Sequence, residues 1–429
     1  MTPAASLFDE YRWRGMLQDV TEGAEAAFAS GPQAAYVGFD PTAASLHVGH
    51  LLPIMGLVHL QRAGHTPIAL VGGGTGLIGD PSGKSQERNL LTREEAEANG
   101  QAVREQLAAF LEFEGVSNPA RMANNLEWLG SMQVLDYLRD VGKHFSVNVM
   151  LRKDSVKRRL EEGAEGISYT EFSYLLLQSY DFLRLFQDRD CRFQFGGSDQ
   201  WGNITGGIDL IRRVAGEKAY GVVFPLITTS TGVKFGKTEA GAVWLDPART
   251  SPFRFYQFWL RTEDADVGRY LRFFTLMDQE QVEALEASAA EHPERREAHR
   301  ALAEDVTRRV HGEEGLGRAR TASEVLFGGG LEGLGAAEIA DIFADVPSSA
   351  VAAADLDGEG LGIVDLVAGA GVTGSRGEAR RSLEQGGIYL NNERVTDVAR
   401  SVTRSDAVEG RFLVLRKGKR SYHLVRVED

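Results

Sequence analysis

Apolar positions in the first part of the chain fall into short unbroken runs, not into an alternation. Ala34 to Phe39 (AAYVGF) is one run and ends at Asp40-Pro41, a turn signal. Thr66 to Val71 (TPIALV) is a second, followed by a glycine-rich loop. Between them the residues from Ser45 through His47, His50 and Leu57 to Gly64 predict a helix, with Ser45 as its cap and Gly64 as its stop. Strand, helix and strand within about 40 residues predict a parallel βαβ unit, hence an open α/β sheet. Ligands of such sheets sit beyond the C-terminal strand ends, where the loops at Asp40 and Gly72 lie. Further on, 168–187 predicts a helix, 192–195 a strand and 199–214 a helix. From 253 to about 343 the pattern is mostly helical. Residues 346–360 are rich in Ala, Ser, Gly and Asp without periodicity and read as a linker. The expected organisation is a Rossmann-like parallel-sheet domain over 1–250, a helical domain over 251–345, the linker, and a small α+β module over 361–429.

A length of 429 residues agrees with two or three domains. Hydrophobic residues at 43% and charged residues at 25% are ordinary for a globular protein. The one cysteine, Cys191, excludes an internal disulfide and fits a reducing cytoplasm. Residues 1–10 lack a charged start followed by an apolar run, so no signal peptide is expected. The apolar stretch 51–60 contains Gly56 and His59 and is too short to span a bilayer, so no membrane is expected. The net charge of −14 argues against a surface that is basic all over, not against local contact with nucleic acid. Two basic runs exist. Arg152, Lys153, Lys157, Arg158 and Arg159 lie close together, and 400–429 holds eight Lys/Arg against four Asp/Glu, a net of +4. Either run reads equally well as a solvated face.

Five constellations carry candidate chemistry. In the first, residues 40–50 (DPTAASLHVGH), two histidines three apart share one face of a helix start. The helix N-terminus there suits a phosphate. A lone His-x-x-His is more often structural; its place in a βα loop reverses that preference. Metal binding is weakly supported, because no third ligand with matching spacing follows. In the second, Gly74, Gly76 and Gly79 spell G-x-G-x-x-G after a strand, a weak dinucleotide signal. Pro81 and Gly83 interrupt the helix that this fingerprint requires. The Walker pattern fails as well, since Ile78 occupies its first glycine position. What remains is a loop with Lys84 and Arg88 for phosphate and Asp80 for a cation. The third is Tyr174, Gln178 and Asp181, on one face of an otherwise apolar helix, which reads either as a satisfied structural network or as a pocket for a small zwitterion. The fourth is 196–203 (GGSDQWGN), again strand to helix, where Asp199 can accept two ribose hydroxyls. The fifth, Lys234-Phe235-Gly236-Lys237-Thr238, is a cationic loop suited to pyrophosphate, though alone it reads more readily as a surface turn.

Taken in order, these blocks resemble the bacterial tyrosyl-tRNA synthetases over essentially the whole chain. His47-Val48-Gly49-His50 looks like the class I HIGH signature, and Lys234 to Thr238 like the KMSKS signature in its KFGKT form. Residues 36–42, 76–84, 170–174 and 196–203 match family blocks. The resemblance implies that Tyr36 and Asp181 hydrogen-bond the substrate phenol. It implies that Asp80, Tyr174 and Gln178 hold its ammonium, and that Gln194 and Gln200 line the tyrosine and ribose region. Gly38, Asp40, Gly197 and Asp199 would shape the nucleoside site, with Leu226 and Ile227 against adenine. Thr42, His47, His50, Lys84, Arg88, Lys234, Lys237 and Thr238 would bind the triphosphate as it reacts. ATP with magnesium on its phosphates, L-tyrosine and tRNA(Tyr) are the implied partners, with a homodimer and no metal held by the protein itself. Val37, Pro53 and Thr229 depart from common family forms.

The last module, 361–429, resembles the small RNA-binding domain named after ribosomal protein S-four. Residues 374–381 lead a helix, Gly386-Gly387 ends it and 388–391 follows as a strand. Arg376, Arg380 and Arg381 are its candidate phosphate contacts, and Arg152 and Lys153 those of the other basic run. Three rivals remain. A tryptophan-specific relative would share both signatures; Tyr36, Asp181 and the last module favour tyrosine. A nicotinamide oxidoreductase would explain only the glycines. A non-catalytic RNA-binding protein would leave the histidine and lysine blocks unexplained.

Overall fold

The computed structural model describes residues 6–82, 91–157, 159–160, 166–230, 232, 235–238, 241–326, 328–344, 346–418 and 421–428. They form two compact units. One comprises Met1–Arg249 and Arg261–Val310, the other Thr250–Leu260 and His311–Asp429.

The first unit is built on a sheet of six strands: β1 (Asp19–Val20), β2 (Ala34–Phe39), β3 (Thr66–Val71), β4 (Arg121–Asn124), β5 (Cys191–Gly197) and β6 (Tyr220–Phe224). Their order is β1-β6-β5-β2-β3-β4, and all neighbours are parallel except β1 with β6. β2 and β3 have the predicted bounds. Both are buried along most of their length, as expected for strands covered on two faces. The helix Leu51–Arg62 links them and buries Leu52, Ile54, Met55 and Leu57. It does not start at Ser45. A 3-10 turn, Val48–His50, precedes it, and its cap is His47, whose Nδ1 accepts the Gly49 N–H at 3.0 Å.

The helix Tyr169–Arg189 is capped by Ser168, whose Oγ accepts the Glu171 N–H at 3.2 Å. It packs beside the helix Trp201–Ala215, which follows β5. The apolar core here includes Tyr36, Ile68, Leu70, Leu176, Phe182, Leu185 and Leu210. A small hairpin of β7 (Lys237–Thr238) and β8 (Gly241–Ala242) lies further along the chain.

The second unit contains a five-stranded sheet of order β12-β11-β14-β15-β9: β9 (Ser348–Ala352), β11 (Ile388–Leu390), β12 (Glu393–Val395), β14 (Phe412–Lys417) and β15 (Ser421–Glu428). β10 (Leu361–Gly362) pairs with β13 (Ser401–Val402). The segment 346–360 is therefore not a linker. β9 runs parallel to β15, and the short helix Ala353–Leu356 follows it. Nor is 251–345 one helical body: the helix Pro252–Leu260 belongs to the second unit, whereas Asp264–Phe274 belongs to the first. The helix Glu297–Val325 breaks at Gly312 (φ 72°, ψ 178°). The helix Arg376–Glu384 is capped by Ser375 and buries Ala379 and Leu383.

Candidate active site

From β2 the chain moves outward to β3 and β4, and it returns to β5 on the opposite side of β2. At such a reversal the loops leaving the two adjacent strands diverge and open a crevice beyond their carboxyl ends. Residues from these loops and from the helix Tyr169–Arg189 meet there in three connected clusters.

The first cluster centres on Asp40. Its carboxylate accepts from Thr75 Oγ1 and from Tyr174 Oη, each at 2.7 Å. The approach of the two loops requires glycine at position 72, where a Cβ would collide with Asp40 Oδ1 and Thr75 Oγ1. The second cluster centres on Asp80, which accepts the Ser82 N–H at 2.8 Å and Gln200 Nε2 at 2.7 Å. Gln178 Nε2 donates to Gln200 Oε1 at 3.2 Å, and Asn203 Nδ2 donates to Gln178 Oε1 at 2.9 Å.

The third cluster is the most buried. Asp181, 1% exposed, accepts from Trp128 Nε1 at 2.7 Å and Asn125 Nδ2 at 2.8 Å. Asn125 also donates to Thr75 Oγ1 at 2.9 Å and accepts the Gly74 N–H at 2.7 Å, which ties this cluster to the first. Burial pushes the Asp181 carboxyl up to about 8 against the opposing pull of those two donors, and the Asp40 charge adds to the rise. Tyr36 on β2 and Gln194 on β5 are register partners. Tyr36 Oη and Gln194 Oε1 are both buried without a hydrogen-bond partner among the described residues. Buried polar atoms are nearly always satisfied, so these two, on register-paired residues of adjacent strands, stand out as groups able to engage a polar ligand. Burial, with the Asp181 charge second, holds the Tyr36 phenol well above its usual pKa.

The two signature segments are joined through main-chain bonds. Val48 N–H donates to Val243 O at 3.0 Å, Val243 N–H to Gly236 O at 3.1 Å, and Leu245 N–H to Leu46 O at 2.8 Å. Gly236 has φ 78°, and a Cβ there would lie 2.6 Å from Val48 Cγ2, so the lysine segment approaches the histidine turn only with glycine. The rings of His47 and His50 lie 4.1 Å apart. Each Nδ1 accepts a main-chain N–H, from Gly49 for His47 and from His47 for His50, so the neutral rings carry their proton on Nε2.

Around the crevice, Gly38 is exposed with nothing within 4 Å of a Cβ built on it. At Gly197 such an atom would lie 2.7 Å from Asp199 Oδ1 and 3.4 Å from Leu226 Cδ2, which places these three residues together. Leu226 is exposed and Ile227 half-buried. Thr42 is exposed, its N–H held by Asp40 O at 2.8 Å. Lys237 and Thr238 contribute the main chain of β7; Lys84, Arg88 and Lys234 lie outside the described residues. Asn125, Trp128 and Thr75 were absent from the sequence expectations. Their one signal was position, beyond the ends of β4 and β3.

The basic run near residue 155 is not a single surface patch. Lys153 Nζ is held by Gly202 O at 2.9 Å and Thr205 Oγ1 at 3.3 Å. Arg159, 4% exposed, forms a buried ion pair with Glu171 at 2.9 Å. Arg152 is exposed. In the second unit Arg380 and Arg381 are exposed, and the exposed Arg376 pairs with Asp365 at 2.6 Å.

The family model for class I tRNA synthetases (W and Y) matches residues 29–328, and that for the tyrosine–tRNA ligase SYY-like C-terminal domain matches 338–425. The chain is 55% identical to a tyrosine–tRNA ligase of Roseiflexus castenholzii, covering 98% of this chain and 99% of that protein. It is 50% identical to the tyrosine–tRNA ligase of Geobacillus stearothermophilus over 98% and 99%. Among solved structures, the C-terminally truncated mitochondrial tyrosyl-tRNA synthetase of Aspergillus nidulans superposes with a TM-score of 0.69 at 31% identity, covering 76% of this chain and 95% of that one.

Proposed function

Since the chain belongs to the tyrosine–tRNA ligases of class I, its reaction is the ATP-dependent joining of tyrosine to tRNA, and we propose that the three clusters and the paired signature segments divide that reaction as follows. The observation that carries the assignment is the buried Asp181 beside the unpartnered Tyr36 hydroxyl. A phenol entering there donates to Asp181, beside the bonds from Asn125 and Trp128, and accepts from Tyr36. Phenylalanine leaves the Tyr36 hydroxyl unpaired, at a cost of about 1–3 kcal/mol for that buried group. Asp80, Tyr174 and Gln178 receive the ammonium group, and Gln194 and Gln200 line the space between phenol and ribose. Asp199 accepts the ribose hydroxyls beside Gly38, Asp40 and Gly197, with Leu226 and Ile227 against adenine.

The carboxylate of tyrosine is already ionised near pH 7, so its attack on the α-phosphorus of ATP needs no general base. A carboxylate oxygen bonds to phosphorus, the bond to the bridging oxygen breaks, and pyrophosphate leaves. A hydroxyl of the terminal ribose of tRNA then attacks the tyrosyl carbonyl carbon, the bond from that carbon to the phosphate oxygen breaks, and AMP leaves with the hydroxyl proton passed to its phosphate. Catalysis rests on positioning and on stabilising charge in the leaving pyrophosphate. His47 and His50 donate through Nε2–H, and Thr42, Lys84, Arg88, Lys234, Lys237 and Thr238 add donors and charge. Asp40 and Asp80 are each engaged by two donors. Magnesium is therefore assigned to the phosphates of ATP and not to these carboxylates.

Transfer RNA is assigned to Arg152 on the first unit, to the exposed Arg376, Arg380 and Arg381 on the second, and to the helical stretches after Pro252 for its anticodon arm. A cytoplasmic location belongs to the same reading and is supported by the bacterial relatives. A homodimer is supported by large apolar side chains left in water along one stretch: Val134, Leu135 (78% exposed), Leu138, Val147, Val149 and Tyr169. A second copy of the same surface would cover them.

Amino-acid-dependent ATP–pyrophosphate exchange without tRNA, with tyrosine, tryptophan and phenylalanine in parallel, tests the assignment. Exchange with tyrosine alone is expected. Exchange with tryptophan would overturn the roles of Tyr36 and Asp181, and no exchange at all would overturn the catalytic assignment.

A further inference from the structure

The histidine turn is held from outside the active site. Leu46, immediately before His47, directs its N–H to Gln106 Oε1 at 2.8 Å, and Gln106 Nε2 donates to Ser45 Oγ at 3.0 Å. Ser45 Oγ in turn donates to Leu46 O at 2.7 Å and accepts the Asp246 N–H at 3.2 Å. Ser45 and Leu46 are 4% and 2% exposed, so these polar groups have little access to water. Leu46 O also accepts the Leu245 N–H at 2.8 Å, in the segment that pairs back to the lysine hairpin.

Gln106 sits in the last turn of the helix Arg93–Leu107. That helix buries Ala96, Gly100, Val103 and Leu107, and a Cβ at Gly100 would lie 3.1 Å from Val71 Cγ1 of β3. The helix is thus referenced to the sheet. Through one amide side chain it fixes the two residues that lead into His47, while residues 243–246 fix them from the other side. In sequence the same helix starts five positions after Arg88. A cavity of about 340 Å³ flanks Gln106, lined also by Ala44, Phe110, Leu245 and Asp246. The cavity borders the amide itself, so water can take the place of the amide when it is lost and satisfy the groups it leaves, without fixing their geometry.

Resting on the tyrosine-activation reading above, we infer that Gln106, with Ser45 as its partner, is a positioning residue that latches the histidine turn in register with the lysine hairpin. It sets the rate of adenylate formation and not the affinity for tyrosine. Gln106 touches no substrate; it acts through the placement of His47 and His50. A displacement of these rings by even 1 Å is expensive for a reaction that depends on alignment.

The test uses the full chain with Gln106→Met, which keeps the side-chain length and removes both hydrogen bonds, and Gln106→Glu, which keeps the acceptor for the Leu46 N–H. Tyrosyl-adenylate formation is followed in a single turnover, and tyrosine binding by equilibrium dialysis without ATP. Gln106→Met is expected to slow adenylation by about tenfold or more while tyrosine Kd stays within about twofold. Gln106→Glu is expected to recover part of the lost rate. The latch is overturned if Gln106→Met keeps the wild-type rate, if tyrosine affinity falls in the same proportion as the rate, or if Gln106→Glu does no better than Gln106→Met. A wild-type chain that forms no tyrosyl-adenylate would overturn the proposed function and the latch together, whereas the other outcomes bear on the latch alone.

Discussion

Tyr36→Phe should move stability and binding in opposite directions. The Tyr36 hydroxyl is buried, the residue being 1% exposed, and has no hydrogen-bond partner among the described residues. Such a group costs about 1–3 kcal/mol in the folded state. Removing the oxygen leaves the ring packed on Phe182, whose centroid lies 5.4 Å away, so only a small void is created. A net gain of about 1 kcal/mol raises Tm by roughly 2–3 °C for a unit of this size. With tyrosine bound the sign reverses, because the substrate phenol has lost its donor. A loss of about 1–2 kcal/mol corresponds to binding about 5- to 30-fold weaker. Thermal unfolding of both proteins, with and without saturating tyrosine, together with equilibrium dialysis, reads both effects. The stabilisation conferred by tyrosine should shrink in the variant while the ligand-free Tm rises. A ligand-free variant less stable than wild type would mean that water already satisfies the hydroxyl. Unchanged tyrosine affinity would remove Tyr36 from the phenol site.

Other perturbations probe different parts of the same unit. The Asp181 carboxyl is raised from 3.8 to about 8 in the folded protein, chiefly by burial. Its contribution to stability is therefore complete below pH 4 and is lost as pH climbs toward 8, by up to about 1.4 kcal/mol per pH unit. Asp181→Asn should flatten this fall, so the Tm difference between variant and wild type should shift in the variant's favour from pH 5 to 8; a constant difference would refute the raised carboxyl. Glu171→Ala leaves Arg159 charged and buried and should cost about 3–5 kcal/mol in denaturant unfolding. A loss below about 1 kcal/mol would show that water reaches the guanidinium. Leu135→Asp should convert a dimer to monomers in sedimentation; an unchanged sedimentation coefficient would place the subunit contact elsewhere.

The sequence was most legible where burial alone decides structure. β2 and β3 are apolar runs closed by turn residues, and their bounds were readable to the residue. The helix carrying Tyr174, Gln178 and Asp181 was legible over 168–187, although Ser168 is its cap and not its first residue. It runs to Arg189 because Asp190 takes the left-handed conformation (φ 50°) without a glycine to signal the stop. What escaped was set by distant partners. β9 is a half-exposed strand of Ser, Ala and Val whose partner β15 lies at the far end of the module, so no local pattern marked it. Arg159 looked like part of a charged surface because its neutralising partner, Glu171, stands twelve positions away. Asn125 and Trp128 belong to no motif; β4, which delivers them, is four residues long with only Ala123 fully buried. Ser45 was read as a cap because its type suits one, whereas Gln106 and Asp246 recruit it from elsewhere in the chain.

The interleaving of the two units has a consequence for biogenesis. The helix Pro252–Leu260 buries Phe255 and Trp259 completely, and Gln257 Nε2 donates to Ser323 Oγ at 2.8 Å, within a unit whose remaining residues begin at His311. During synthesis these aromatic side chains emerge well before the partners that cover them. Until then they are a sticky, chaperone-accessible segment attached to a first unit that is itself still waiting for 261–310. The slow step of folding should be this non-local closure. A chain cut back to its first unit would carry the same aromatic helix permanently uncovered and should aggregate unless the helix is removed with the rest of its unit.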